Sequence, residues 1–124
     1  MRLRFWLAAA VVAVLVVAGS ASAAGGVRIS LLGQSHTPLA GSPWAYYIRA
    51  WGPDGKPFQG TIVLEVVTRS GKKIDGIGQF AFKGTWLRAY IWRRADKGLA
   101  LDLRVSLIEG TKLVAKTSYR VNVQ

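Results

Sequence analysis

The sequence of 124 residues contains no cysteine, a single histidine and only six acidic residues. Without cysteine the chain can form no disulfide, no zinc–thiolate site and no thiol nucleophile. His36 has no second histidine or cysteine with which to hold a metal, so we interpret it as a solvated loop residue and expect no metal site. Copper binding by His36 together with a free N-terminal amine is the alternative, and no other residue supports it.

The scarcity of acidic residues also limits catalysis, because acid–base chemistry needs paired titratable groups in a cleft. The six acids are spread along the chain, in turns or at outer strand positions. They are Asp54, Glu65, Asp75, Asp96, Asp102 and Glu109. Ser35 and Ser42 have no histidine at the spacing of a hydrolase motif. We therefore expect no catalytic residues, no cofactor and no enzyme activity, and a small secreted hydrolase is the remote alternative.

The segment GIGQFA, residues 76–81, matches the spacing of a dinucleotide-binding loop but not its context. Such a loop joins a strand to a helix within a βαβ unit. Here a Gly-Thr-Trp turn and another strand follow instead. We interpret Gly76 and Gly78 as bulge or turn positions.

The N-terminal residues have the layout of a secretory signal peptide. Two arginines give a positive start, an apolar run extends from Phe5 to Ala18, and small residues precede a cleavage site after Ala23 or one residue later. The run is shorter than the roughly 20 apolar residues of a transmembrane helix. We therefore expect residues 1–23 to be a cleaved signal-peptide helix and residues 24–124 to be a secreted or cell-envelope domain. Retention of the leader as a membrane anchor is the alternative.

Basic residues dominate the remaining chain. Of the 17 lysines and arginines, Arg2 and Arg4 lie in the leader, which leaves 15 against six acids and a net charge of +9. Such a surface attracts polyanions, which outside the cytoplasm include acidic cell-wall polymers and polysaccharides. Solubility alone is the other interpretation. The basic residues fall in nearly every turn rather than along one groove, and with the export signal this argues against nucleic acid as a partner.

Alternating apolar and polar positions recur along the rest of the chain, and no segment shows a sustained helical period. Turn sequences such as GPDGKP, SGKK and GTK separate about seven strand-like segments, at intervals of roughly 8–14 residues. This spacing predicts an all-β fold: an antiparallel immunoglobulin-like β-sandwich of about seven strands, in which two sheets share one core. A small closed barrel is the structural alternative.

Charge predicts which row of a strand faces the core, because a buried, unpaired guanidinium costs several kcal/mol. In WAYYIRAW Arg49 marks its row as the outer one, and in TIVLEVVTR Glu65 does the same. In WLRAYIW Arg88 places the aromatic row outside. The expected inner rows are Trp44, Tyr46, Ile48 and Ala50; Ile62, Leu64 and Val66; and Leu87, Ala89 and Ile91.

The same rule leaves five aromatic side chains and two arginines facing outward. They are Tyr47, Arg49, Trp51, Trp86, Arg88, Tyr90 and Trp92. If their two strands share a sheet, these residues form one cationic aromatic patch, and exposed patches of this kind mark interaction sites. We therefore expect a non-catalytic domain that binds an anionic or carbohydrate polymer, or a surface protein, through this patch. A purely structural domain with these aromatics covered by loops is the alternative.

The stretch TPLAGSPWAYYIRAWGPDGKPFQGTIVLEV resembles a module of small secreted bacterial proteins with an immunoglobulin-like or fibronectin-III-like sandwich. Such modules show a proline–glycine entry, an aromatic-rich strand, a D-G-K-P turn and an alternating aliphatic strand. The matching positions are Pro38, Gly41, Pro43, Trp44, Tyr46, Asp54, Gly55, Lys56, Pro57, Gly60, Val63 and Leu64, with Gly84 and Trp86 further on. The cysteine pair of antibody-type domains is absent. The resemblance, over residues 27–123, implies the sandwich fold and export, and it implies no activity.

Overall fold

Turns rich in glycine and proline divide the chain into seven β-strands in the computed structural model, which describes residues 26–124. The strands are β1 (Arg28–Gly33), β2 (Pro43–Trp51), β3 (Gln59–Thr68), β4 (Lys73–Lys83), β5 (Thr85–Ile91), β6 (Ala100–Glu109) and β7 (Lys112–Asn122). A 3₁₀ turn, Arg94–Asp96, lies between β5 and β6. Within residues 26–124 no helix has the length and hydropathy needed to cross a membrane. The predicted leader, residues 1–23, lies outside the described residues.

The strands pair in the orders β1-β2-β5 and β4-β3-β6-β7, and all neighbours are antiparallel. One residue pair, Lys83 with Thr85, links β4 to β5. Gly84 lies between them with a φ of 76°, which favours glycine, and here the chain passes from one sheet to the other. The result is the predicted seven-stranded β-sandwich, with a three-stranded and a four-stranded sheet.

Alternate residues of both sheets meet in one core. The largest completely buried side chains of the central strands are Ile48, Ile62, Leu64, Val66, Leu101, Leu103, Val105 and Leu107. Each such aliphatic side chain contributes about 1.5–3 kcal/mol relative to exposure. The inner rows predicted for β2 and β3 are confirmed, since every member is buried.

The loop between β1 and β2 closes one end of the sandwich through side-chain hydrogen bonds. The indole Nε1 of Trp44 donates to the Ser35 carbonyl oxygen at 2.9 Å. His36 is exposed in this loop, as predicted. Its ring stacks on Tyr119 with centroids 4.3 Å apart, and its Nδ1 donates to the Arg120 carbonyl oxygen at 2.6 Å. The histidine therefore joins the loop to β7.

Gly76 and Gly78 flank a β-bulge in β4, which confirms the interpretation of the GIGQFA segment. Gly78 lies opposite Leu64 of β3, whereas Gly76 lies opposite the next residue, Glu65. Ile77 is therefore the extra residue of the bulge. By absorbing this residue, β4 continues pairing beyond the short strand that the sequence predicts there.

Candidate binding face

The orientation predicted for β5 is wrong. The charge rule places Leu87, Ala89 and Ile91 in the core. In the structure Leu87 is 61% exposed and Ile91 is 56% exposed, and Ala89 between them is exposed as well. The opposite row faces inward, beside the core row of β2. Its members are Trp86, Arg88, Tyr90 and, just after the strand, Trp92.

An arginine tolerates the inward row because β5 is an edge strand of the three-stranded sheet. Arg88 remains exposed at the side of the sandwich, with its guanidinium carbon 4.1 Å from the centroid of the Trp86 ring. Its Nη1 donates to the Leu87 carbonyl oxygen at 2.9 Å. No charge is desolvated, whereas each inward aromatic side chain can bury about 150–250 Å². Burial of the aromatic row therefore contributes more hydrophobic free energy than burial of the smaller aliphatic row would.

The aromatic row ties β5 to β4, the edge strand of the other sheet. Trp86 packs on Phe80 of β4 with ring centroids 4.9 Å apart, and its Nε1 donates to the Tyr46 hydroxyl oxygen at 3.1 Å. The Tyr90 hydroxyl donates to Asp75 Oδ2 of β4 at 2.6 Å. Burial, followed by this hydrogen bond, raises the pKa of Tyr90 well above its ordinary value. Trp86 and Tyr90 thus connect the two sheets where their backbones separate.

The predicted aromatic patch is divided by this inversion. Three of its residues lie on the outer face of the three-stranded sheet: Tyr47, Arg49 and Trp51. The other four lie in the inward row: Trp86, Arg88, Tyr90 and Trp92. Arg49 is exposed, and its guanidinium carbon lies 5.4 Å from the centroid of the half-buried Trp51 ring. Trp92 is 0% exposed and offers no surface to a ligand.

An apolar surface occupies one part of the outer side of the three-stranded sheet. We call it the apolar face, and it consists of Leu32, Pro43, Ala45, Tyr47, Leu87, Ala89 and Ile91. The strand register aligns Leu32, Tyr47 and Leu87 in one row across all three strands. Leu32 is 49% exposed, Leu87 61% and Ile91 56%. None of the seven residues is charged, and they are neighbours in the strand register, so they form one apolar surface.

One sequence signal for the apolar face was missed. In VRISLL the outer row is Arg28, Ser30 and Leu32, so Leu32 is an aliphatic residue in an otherwise polar row. Such a residue on a solvated face has no core to join. It is stabilised by apolar contacts with neighbouring strands, and the observed orientation of β5 places Leu87 in the same row across the sheet.

The charged residues of the three-stranded sheet are all arginines. β1, β2 and β5 contain no acidic residue, and their charged residues are Arg28, Arg49 and Arg88. Arg28 lies opposite Trp51 in the register, so that end of the sheet combines two arginines with an indole. Arginine, tyrosine and tryptophan are the residues enriched at protein interfaces.

The outer face of the four-stranded sheet has a different character. Glu65 accepts two hydrogen bonds from the Arg104 guanidinium, the shorter at 2.9 Å, and lies 4.0 Å from the Lys73 ammonium nitrogen. The Arg69 Nε lies 3.1 Å from Asp102 Oδ1, an ionic contact whose angle does not make a hydrogen bond. Burial raises the pKa of Asp102 although Arg69 opposes that shift. Ion pairs therefore occupy this face, where the other sheet has aliphatic side chains.

A shallow depression adjoins the apolar face at the Trp51 end. It is lined by Arg49, Trp51, Gly55, Pro57 and the start of β5. Within residues 26–124, no group of three His, Cys, Asp or Glu side chains lies close enough together to hold a metal ion.

Comparisons of the sequence with protein-family models and with curated proteins find no match. Solved structures include similar folds. The CARDB domain of PF1109 from Pyrococcus furiosus, solved in complex with di-metal ions, aligns with a TM-score of 0.49 and 9% identity, over 79% of this chain and 87% of that one. Spo0M, a sporulation control protein from Bacillus subtilis, aligns with a TM-score of 0.48 and 11% identity, over 79% of this chain and 49% of that one. The chain thus spans about half the length of Spo0M, and neither similarity assigns a role to any residue.

Proposed function

We propose that this chain is an exported, non-catalytic β-sandwich module that binds a partner protein through the apolar face. The observation that carries the proposal is the exposure of Leu32, Leu87 and Ile91 on one charge-free surface. A contiguous exposed apolar surface marks an interaction site in a soluble domain. The outer face of the four-stranded sheet carries ion pairs instead, and Leu113 is its strongly exposed aliphatic side chain.

A protein fits the apolar face better than a saccharide does. Sugars are held by flat aromatic rings that stack on them and by polar groups that bind their hydroxyls, whereas the most exposed residues here are aliphatic. The centre of a protein interface is apolar and nearly free of charge, and its rim is polar. Tyr47 at the centre and Arg28 and Arg49 at one end match that arrangement.

Binding of an anionic polymer is the second candidate function, and Arg49 and Trp51 support it. The exposed guanidinium beside an indole could hold a carboxylate or phosphate while the ring contacts a sugar. The net charge of +9 would add long-range attraction. Such binding would weaken steeply with salt, whereas docking on the apolar face would not.

Export is inferred from the leader pattern alone. The protein recovered outside the cytoplasm is then expected to begin at Ala24, which N-terminal sequencing would establish. A protein that retains residues 1–23 would instead be held at the membrane.

Site-specific photocrosslinking tests the docking face. A photoreactive residue at Leu87 is expected to capture one partner protein in cells that export the chain. The same residue at Leu113, which is 49% exposed on β7 of the other sheet, is the matched control and should not capture that partner. Capture of the same protein from both positions, or from neither, would reject the proposed face.

Affinity measurements with the purified domain and the captured partner then give the contribution of the apolar face to binding. Leu87→Glu places a charge at the most exposed large hydrophobic position of the apolar face and should weaken binding of the captured partner about 30-fold, the scale of an interface hot spot. Leu113→Glu should leave the affinity unchanged. Equal affinities for the two variants would contradict docking on the apolar face.

A further inference from the structure

The edge of β5 that points away from β2 is largely unpaired. On that side only Thr85 forms a backbone pair, with Lys83 of β4. From Trp86 to Ile91 the strand therefore has a neighbour on one side only. A strand in this position presents backbone N–H and C=O groups that can pair with another chain.

The register shows which backbone groups face this edge. The Ala50 amide donates to the Gly84 carbonyl oxygen at 2.9 Å. Hydrogen-bonded and non-hydrogen-bonded pairs alternate in an antiparallel ladder, so the amide and carbonyl groups of every second residue point away from β2. These residues are Leu87, Ala89 and Ile91. The side-chain bond from Arg88 Nη1 to the Leu87 carbonyl oxygen agrees, because that oxygen must face outward to accept it.

β5 also lacks the features that protect edge strands from pairing. Proteins use lysines, prolines and bulges for this purpose. β4 has the bulge at Ile77 and a lysine at each end, and β7 carries Lys112, Lys116 and Arg120. The segment Thr85–Ile91 contains no lysine, proline or glycine and no bulge. Of the edge strands within residues 26–124, β5 is the longest without these features, since the remaining one, β1, has six residues and ends at Gly33.

We propose that β5 accepts an extended segment of an acidic partner protein as an added strand. Strand addition of this kind takes its affinity from main-chain hydrogen bonds and its specificity from alternating side chains. The added strand would extend the three-stranded sheet and would place every second side chain beside Leu87 and Ile91. The inference therefore deepens the proposed function and rests on it, since the strand enlarges the apolar face.

Charge determines the kind of segment that fits. The residues of an added strand next to Arg88 would meet a guanidinium with no carboxylate partner among residues 26–124. A second copy of this chain would place another arginine there and bring a second net charge of +9 against the first. A strand in which acidic and apolar residues alternate would place its carboxylates beside Arg88 and its apolar side chains beside Leu87 and Ile91. The occupant is therefore a different, acidic protein.

A synthetic peptide of alternating valine and glutamate, long enough to span β5 and carrying a fluorescent label, is the probe. Fluorescence anisotropy is expected to show that it binds the exported domain. Two control peptides should not bind: an alternating valine–lysine peptide, and the valine–glutamate peptide with every amide N-methylated, which has no N–H left to donate to β5. No binding of the unmodified peptide at millimolar concentration would overturn the proposal.

Ala89→Pro is the decisive variant because it removes one outward N–H and no hydrogen bond to β2. Proline is tolerated at edge positions whose N–H faces solvent, and an unchanged urea midpoint would show that the fold is intact. The variant should weaken peptide binding about 10-fold or more, as expected for the loss of at least one hydrogen bond. Ala89→Ser, which keeps the N–H, should recover most of the affinity that Ala89→Pro loses. Equal binding by Ala89→Pro would reject strand addition, while the crosslink from Leu87 would still decide docking on the face.

Discussion

Arg88 lies over the ring of Trp86, with its guanidinium carbon 4.1 Å from the ring centroid, on the inward side of an edge strand. The side chain is exposed because the sandwich is open at that edge. An inward position and a solvated charge are therefore compatible here. This contact allows the aromatic row of β5 to pack inside and turns its aliphatic row into part of the apolar face.

Replacement of Arg88 by alanine should cost little stability. An exposed cation–π contact is worth about 0.5–1 kcal/mol, so Arg88→Ala is expected to lower the free energy of unfolding by that amount in urea titrations. Arg49→Ala is the matched control, since its guanidinium carbon is 5.4 Å from the Trp51 centroid and the contact is looser. A clear gain in stability for Arg88→Ala would indicate a desolvated charge and would contradict the geometry described here.

Two glycines offer a paired test of packing at the end of β1. A methyl group on Gly33 would overlap the rings of Trp44 and Tyr119, whereas one on Gly76 would meet only the end of the Lys73 side chain, at 3.6 Å. Gly33→Ala should therefore lose about 1–3 kcal/mol, the usual cost of overpacking. Gly76→Ala should be neutral or slightly stabilising. Equal urea midpoints for the two variants would show that the Gly33 site has room.

Stability should fall at alkaline pH because tyrosines are buried. Burial raises the pKa of Tyr119 to about 12, against about 10 in an unfolded chain. The folded state therefore holds this proton more tightly, and the resulting stability is complete below about pH 10 and is lost as the pH rises through about 12. Urea unfolding at a series of pH values should show a shallower decline for Tyr119→Phe than for the wild type. An identical decline would mean that Tyr119 does not contribute.

The sequence predicted most of the fold because a charged side chain on a central strand can reach water only from the outer face. β2 and β3 each lie between two neighbours, so an inward charge there would have no path to water, and the alternation rule succeeds. β5 is an edge strand, and there the rule fails. Alternation does not reveal which strand will be an edge. The apolar face was missed for that reason, since its largest exposed members, Leu87 and Ile91, come from the inverted strand.

Amide hydrogen exchange measured by NMR should reveal the open edge of β5 directly. The amides of Trp86, Arg88 and Tyr90 point to β2 in the ladder and should exchange slowly, whereas those of Leu87, Ala89 and Ile91 point to the edge and should exchange fast. Addition of the valine–glutamate peptide should slow the three fast amides and leave the three slow ones unchanged, because strand pairing occurs on one side only. Uniform protection along the free strand would mean that its edge is already covered, and strand addition at β5 would then be impossible.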